Sequence, residues 1–228
     1  MDIQPDKLPR TDSPVASSSM FKYRAFALFW AARLFSTLAV QAESVTIGWQ
    51  VYTVARHSRS VEQGAFLVGM VGLVQFVPLF LLTFIAGATA DRRAIMLACT
   101  AVEIVCVLVL AALSLHPSPS LIPIFAIAAV FGASRAFLSP ASAAIAPMLV
   151  PPHAIRDAIS RNSLADQAGF VIGPWIGGVL CAVSPAVAYC GSAVLYAVAA
   201  GALLLMRANT RPEPQPGSRM EQIREGIA

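Results

Sequence analysis

Charged side chains are unevenly spread along this chain. None occurs between Gln63 and Ala90, and none between Gln167 and Met206. About twenty apolar residues in a row suffice to cross a bilayer as a helix. The first run is therefore one span. The second is forty residues long, with Ser184-Pro185 as its turn, and supplies most of two. The same pattern predicts six helices, at 25–54, 63–90, 94–115, 120–149, 156–183 and 186–206. They are joined by short polar stretches: Arg56 to Ser60, Asp91-Arg92-Arg93, His116 to Pro119, and Pro151-Pro152-His153. The expected fold class is all-α, a polytopic membrane protein.

Composition agrees with this pattern. Of 228 residues, 57% are apolar and 12% charged, about half the charged share of a soluble domain. Long polar segments occur only at the ends. Residues 1–20 lack the basic-then-apolar order of a cleaved signal peptide and read as a disordered tail. Residues 208–228 read as a proline-rich linker leading into a short charged segment, after a six-helix unit at 21–207. Placing the N-terminus in the cytoplasm puts twelve basic residues inside, in the two tails and around Arg92, Arg93, Arg156 and Arg161, and leaves Arg56 and Arg59 outside. By the loop-charge rule both termini are cytoplasmic. The net charge of +4 follows from this asymmetry and gives no reason to invoke nucleic acid.

Within the second long run, Gly169 to Gly178 read GFVIGPWIGG. Gly169, Gly173 and Gly177 recur every four residues. On a helix they form one smooth stripe where another helix can approach backbone to backbone. Pro174 removes a backbone donor and loosens the helix there. Each glycine costs up to about 1 kcal/mol relative to alanine, so the pattern marks a close contact in a membrane bundle.

Five charges remain inside the predicted spans: Arg33, Glu43, Glu103, Arg135 and Asp166. Facing lipid, each costs about 2.5–3.5 kcal/mol on the insertion scale. They must face one another or a wet cavity. Counting about 1.5 Å per residue from the nearer helix ends sets Arg33, Glu103, Asp166 and Arg135 at similar depth in the inner half, where two cations and two anions can pair. Glu43 lies nearer the outer side with no obvious partner. The set reads either as ion pairs that fix the packing or as a polar pathway with a protonatable carboxylate, for which Glu43 is the better candidate. Cys99, Cys106, Cys181 and Cys190 fall in helices, where cysteine behaves as a small hydrophobe. His57, His116 and His153 are scattered at helix ends. No metal, cofactor, phosphate-binding or nucleophile motif is present in the sequence, and an enzyme is not expected.

Taken together, these residues resemble the major facilitator superfamily. Gly169 to Gly178 are similar to its fifth-helix antiporter motif, GxxxGPxxGG. Gly87 to Arg93 resemble the signature between helices two and three, and Arg135 the arginine of the export-type fourth-helix motif. The stretches Ala32 to Tyr52, Ser134 to Pro151 and Asn162 to Gly178 resemble the enterobactin-exporter-like branch. Three departures stand out. Ala94-Ile95-Met96 replace the further glycine and basic pair of the signature. Ser139 stands where the fourth-helix motif has glycine, and Val40 where relatives often carry a first-helix aspartate.

The resemblance implies the N-terminal half of a twelve-helix transporter, built from inverted helix triplets. Its implied function is proton-coupled efflux of a small organic molecule, such as a siderophore or drug, across a bacterial inner membrane by alternating access. It further implies a cytoplasmic gate at Gly87, Asp91, Arg92 and Arg93, proton coupling at Arg135 with Glu43, Asp166, Glu103 and Arg33 as further candidates, and a helix-packing motif at Gly169, Gly173, Pro174, Gly177 and Gly178 that closes the contact between halves. The expected partners are substrate, protons, lipid, and a missing C-terminal half or a second copy. A truncated or accessory six-helix protein without transport activity is the alternative.

Overall fold

The computed structural model describes residues 24–57, 60–83, 91–116 and 120–206. They form six helices: α1 (Arg24–Arg56), α2 (Val61–Thr83), α3 (Arg92–Ser114), α4 (Leu121–Ile145), α5 (Ile155–Val183) and α6 (Pro185–Leu205). All six are long and apolar enough to cross a membrane, and among the described residues there is no strand. The chain is an all-α polytopic membrane protein.

Local chemistry sets the helix ends. Asp91 caps α3 by accepting the Arg93 backbone N–H at 3.0 Å. Ser120 caps α4, and Ser184 caps α6 with Pro185 as the first helical residue. These are favoured residues at such positions, because their oxygens take up amide donors that a helix start leaves unpaired. The expected fourth span to residue 149 ends as an α-helix at Ile145 and continues as a 3-10 turn, Ala146–Leu149. Pro147 is responsible, since it lacks the amide hydrogen an α-helix would use. A second 3-10 turn, Pro152–Ala154, leads into α5. The last residues of the second expected span, 84–90, lie outside the described residues.

Successive helices run in opposite directions, so one end of the bundle, here called basal, holds the starts of α1, α3 and α5. The opposite, apical end holds the starts of α2, α4 and α6. The main interfaces are α1 with α5 and α6, α2 with α4, and α3 with α4 and α6. Exchanging α1 with α4, α2 with α5 and α3 with α6 maps this set onto itself, the relation expected of two inverted three-helix repeats.

Two apolar clusters fill the centre. Ile47, Val51, Leu110, Ile124, Phe131, Tyr189 and Tyr196 pack in the middle and apical part. Phe29, Met96, Ile145, Leu203 and Met206 pack at the basal end. Helices α2 and α5 contribute least to the core and turn large apolar residues outward, among them Phe66, Phe76 and Leu81 on one and Phe170, Val171 and Trp175 on the other.

The glycine stripe of α5 is an interface, but within this bundle. A Cβ on Gly169 would stand 2.5 Å from the Thr37 methyl, on Gly173 2.5 Å from the Gln41 Cβ, and on Gly177 2.6 Å from the Ala42 carbonyl oxygen. All three partners lie on α1, and the register advances in the same direction on both helices, as parallel packing requires. The expectation that this stripe closes a contact between halves is therefore corrected: α1 already occupies it. The reason is steric, since no side chain stands between the two backbones. Gly178 faces open space, and Pro174 lies inside α5.

Adjacent glycines thus provide a test. Gly177→Leu drives a side chain into the α1 backbone, which costs about 1–3 kcal/mol for overpacking and lowers the melting temperature in detergent by about 2–12 °C. Gly178→Leu leaves it nearly unchanged. Equal effects from the two would remove the α1 contact as the purpose of the stripe.

Candidate functional site

Two polar tiers cross the apolar core. The deeper one centres on Glu43 of α1, which is fully buried. One guanidinium nitrogen of Arg135, Nη2 on α4, donates to Glu43 Oε1 at 3.0 Å, and Nη1 donates to Gln75 Oε1 on α2 at 2.9 Å. From α6 the Tyr196 hydroxyl donates to Glu43 Oε2 at 3.0 Å. Four helices thus supply one side chain each. Glu103 of α3, also fully buried, lies close enough to Glu43 and Arg135 to interact with both electrostatically.

Backbone packing brings this tier together. Gly132 lies three residues before Arg135, and a Cβ there would overlap the backbone of Gln75. The absence of a side chain lets α2 approach α4 closely enough for the Gln75 amide to reach Arg135. Pro78, one turn further along α2, removes a backbone hydrogen bond beside this contact.

The second tier lies toward the basal end. Arg33 of α1 and Asp166 of α5 form a two-pronged pair, Nε to Oδ1 at 2.8 Å and Nη2 to Oδ2 at 3.2 Å. This parallel geometry is the strong form of an arginine–carboxylate contact. Arg33 Nη1 also donates to Ser142 Oγ at 2.8 Å, and the Thr37 hydroxyl lies 3.3 Å from Asp166 Oδ1. Thr37 is also the residue against which Gly169 packs. The glycine contact therefore sets the distance across which this ion pair closes. Farther toward the apical end, the Tyr189 hydroxyl donates to Gln50 Oε1 at 2.6 Å.

These contacts revise the expected pairing. Glu43 does have partners, and Arg135 pairs with it, not with Glu103 or Asp166. Counting along each helix assumes that all helices begin level. With 33 residues, α1 is about 50 Å long, whereas the 25 residues of α4 make about 38 Å. Residues counted from the ends of such unequal helices do not share a depth scale. Arg33 and Asp166 do share a tier, as expected. Gln75 and Tyr196 were not singled out in the sequence, although a polar side chain isolated within an otherwise apolar span was the available signal.

Of the gate motif, Gly87 lies outside the described residues. Asp91 caps α3, and the Arg92 guanidinium lies 2.8 Å from the Met148 sulfur. Arg93 reaches across to α6, donating from Nε to the Leu203 carbonyl at 2.8 Å and from Nη2 to the Leu204 carbonyl at 2.9 Å. A cation there suits the negative end of a helix dipole and supplies further donors to carbonyls of the last turn, where intrahelical partners run out. Arg93 thereby ties the start of α3 to the end of α6.

Chemically, the deeper tier sets one carboxylate and one neutral amide against one guanidinium: a charged Glu43 neutralises Arg135, whereas a protonated Glu43 would remain a hydrogen-bond acceptor but no counter-charge. The Arg135 side chain is 23% exposed. A double-mutant cycle tests the pairing through stability in detergent. Arg135→Gln and Glu43→Gln should couple by about 1–3 kcal/mol, whereas Arg135→Gln and Asp166→Asn should add within about 0.5 kcal/mol, because Arg33 holds Asp166. Strong coupling in the second cycle would place Arg135 in the wrong tier.

No curated protein matches the chain. The model of the transmembrane secretion effector family matches residues 15–227, nearly the whole length and all six helices. The chain belongs to the transmembrane secretion effector family, and is a membrane transporter of the major facilitator superfamily.

Proposed function

We propose that the protein exports a small organic molecule by alternating access, driven by protons, with these six helices acting as one half of the transport unit. The observation that carries this reading is the Glu43–Arg135 pair, buried at mid-span and held by Gln75 and Tyr196 from two further helices. A pair placed only to fix packing could be replaced by apolar residues at little or no cost. One in which a single carboxylate balances a partly exposed arginine gives protons a means of changing how α1, α2 and α4 hold together.

The half-unit reading is supported by the outward apolar faces of α2 and α5. They are the two helices with the smallest buried share, and they correspond to each other under the repeat exchange. A second six-helix half covering them would place the substrate at the interface between halves. That half is a C-terminal one or a second copy of this chain. Asp91 and Arg92, at the basal end, would serve its cytoplasmic gate.

Basic-residue asymmetry supports cytoplasmic termini in a bacterial inner membrane. Accessibility tags at Ser13 and Ser218 should then report the cytoplasm, and one at Ser118 the periplasm. A periplasmic signal from Ser218 would require an odd number of spans and overturn the orientation.

Transport is tested in inside-out vesicles from cells that carry the gene in its genomic context. An imposed pH gradient should drive saturable uptake of at least one compound from a panel of siderophores and cationic dyes, and Arg135→Ala should reduce it to background. The purified 228-residue chain should show no such uptake as a monomer, because one half supplies one side of each gate. Activity of the monomer would overturn the half-unit part, whereas activity confined to a homodimer would identify the second half as a second copy. Failure of the vesicles to transport anything in the panel would favour an accessory role.

A further inference from the structure

Three buried atoms of the deeper tier have no hydrogen-bond partner among the described residues: Oε1 and Oε2 of Glu103, and Nε of Arg135. They are chemically complementary, two acceptors and one N–H donor on packed neighbouring helices. Leaving both oxygens of a fully buried carboxyl group unpaired costs the desolvation of each, whether the group is charged or neutral. Such groups in a core need a reason, and a second arrangement in which they are satisfied is one. Here the missing donor is already present on Arg135.

We propose that Glu103 is the second seat of the Arg135 guanidinium. When Glu43 takes up a proton from water on one side of the membrane, a new O–H bond forms on its carboxylate and its hold on Arg135 ends. Arg135 keeps its own protons, leaves Glu43 and Gln75, and brings Nε and one terminal nitrogen to Glu103. Loss of the proton from Glu43 to water on the other side returns Arg135 to its first seat. The net positive charge of the tier changes only by the proton carried. This inference rests on the proton-driven reading above.

The helices are suited to such an exchange. Leaving the first seat means releasing Gln75, which stands on α2, the least buried helix, beside Pro78 and at the tight Gly132 contact. Moving Arg135 toward α3 therefore frees α2 from α4, and shifting α2 changes one of the two open faces of the bundle. The ionisable groups around Glu103 are Arg135 from α4, Tyr196 from α6 and Glu43 from α1, with Cys99 and Cys106 on its own helix. Arg135 is the cation among them.

Glu43→Gln reproduces a protonated Glu43, and the structure of that variant in lipid decides the matter without any substrate. Arg135 Nε is expected at about 3 Å from a Glu103 oxygen. A guanidinium still seated on Gln75, with Glu103 unpaired, would overturn the proposal. Should the variant fail to fold, the wild-type structure at a pH low enough to protonate Glu43 gives the same two outcomes. A second arm uses transport of the vesicle-panel compound. Glu103→Gln should lower pH-driven accumulation about tenfold or more while exchange of the compound down its own gradient persists, and Glu103→Asp should restore part of the accumulation. Undiminished accumulation in Glu103→Gln would overturn the proposal, whereas absence of wild-type transport would instead count against the proton-driven reading.

Discussion

The contact between the backbones of α1 and α5 is the constraint on which the rest of the bundle depends. Helices in lipid gain nothing from hiding apolar surface from water, so they associate through close packing and through polar bonds that lipid cannot supply. Gly169, Gly173 and Gly177 allow the first kind of contact between Thr37 and Ala42 in the middle of α1, and that packing positions the helix that carries Arg33, Glu43 and Gln50. Each of these side chains then finds its partner on a different helix: Asp166 on α5, Arg135 on α4 and Tyr189 on α6. A shift of α1 by the width of one methyl group would be felt in all of these contacts, because hydrogen bonds weaken steeply with distance and angle.

The two tiers respond to that constraint differently. The basal pair is two-pronged, and Arg33 is braced further by Ser142. It joins the same two helices as the glycines do, so it reinforces a contact that is already rigid. The deeper tier spreads one carboxylate and one guanidinium over four helices, with Nε of the guanidinium unused. A charge pair that bridges several helices makes their relative positions depend on its protonation. The basal tier is therefore suited to structure and the deeper one to the proposed switching, although each is built on one arginine–carboxylate pair.

Much of this was legible in the residues. The spans follow from charge-free runs, and their starts from Asp91, Ser120 and Ser184, since bilayer thickness and amide satisfaction act locally along the chain. The glycine stripe was legible as a groove, because every fourth residue falls on one face. Its occupant was not, since spacing on α5 says nothing about which helix lies opposite. The same limit governs the charges. Arg33 and Asp166 could be matched by depth, but Glu43 could not, because α1 is longer than its neighbours and depth counted from a helix end fails once the ends are not level. Gln75 and Tyr196 look unremarkable in sequence and gain their roles only from the helices that bring them to Arg135 and Glu43.

The repeat exchange explains where the two arginines stand. Arg33 on α1 and Arg135 on α4 occupy corresponding helices, each followed two residues later by a phenylalanine, Phe35 and Phe137. Their partners correspond as well: Arg33 reaches to α5 for Asp166, and Arg135 reaches to α2 for Gln75. The symmetry breaks at the partner's chemistry. An aspartate neutralises Arg33 within its own interface, whereas a glutamine leaves Arg135 charged and in need of an anion from elsewhere, which Glu43 supplies across the repeat boundary. Both arginines bridge the two triplets, but one neutral amide in place of a carboxylate extends a two-helix ion pair to a third helix, so that the contact of α2 with α4 comes to share its guanidinium with a carboxylate on α1.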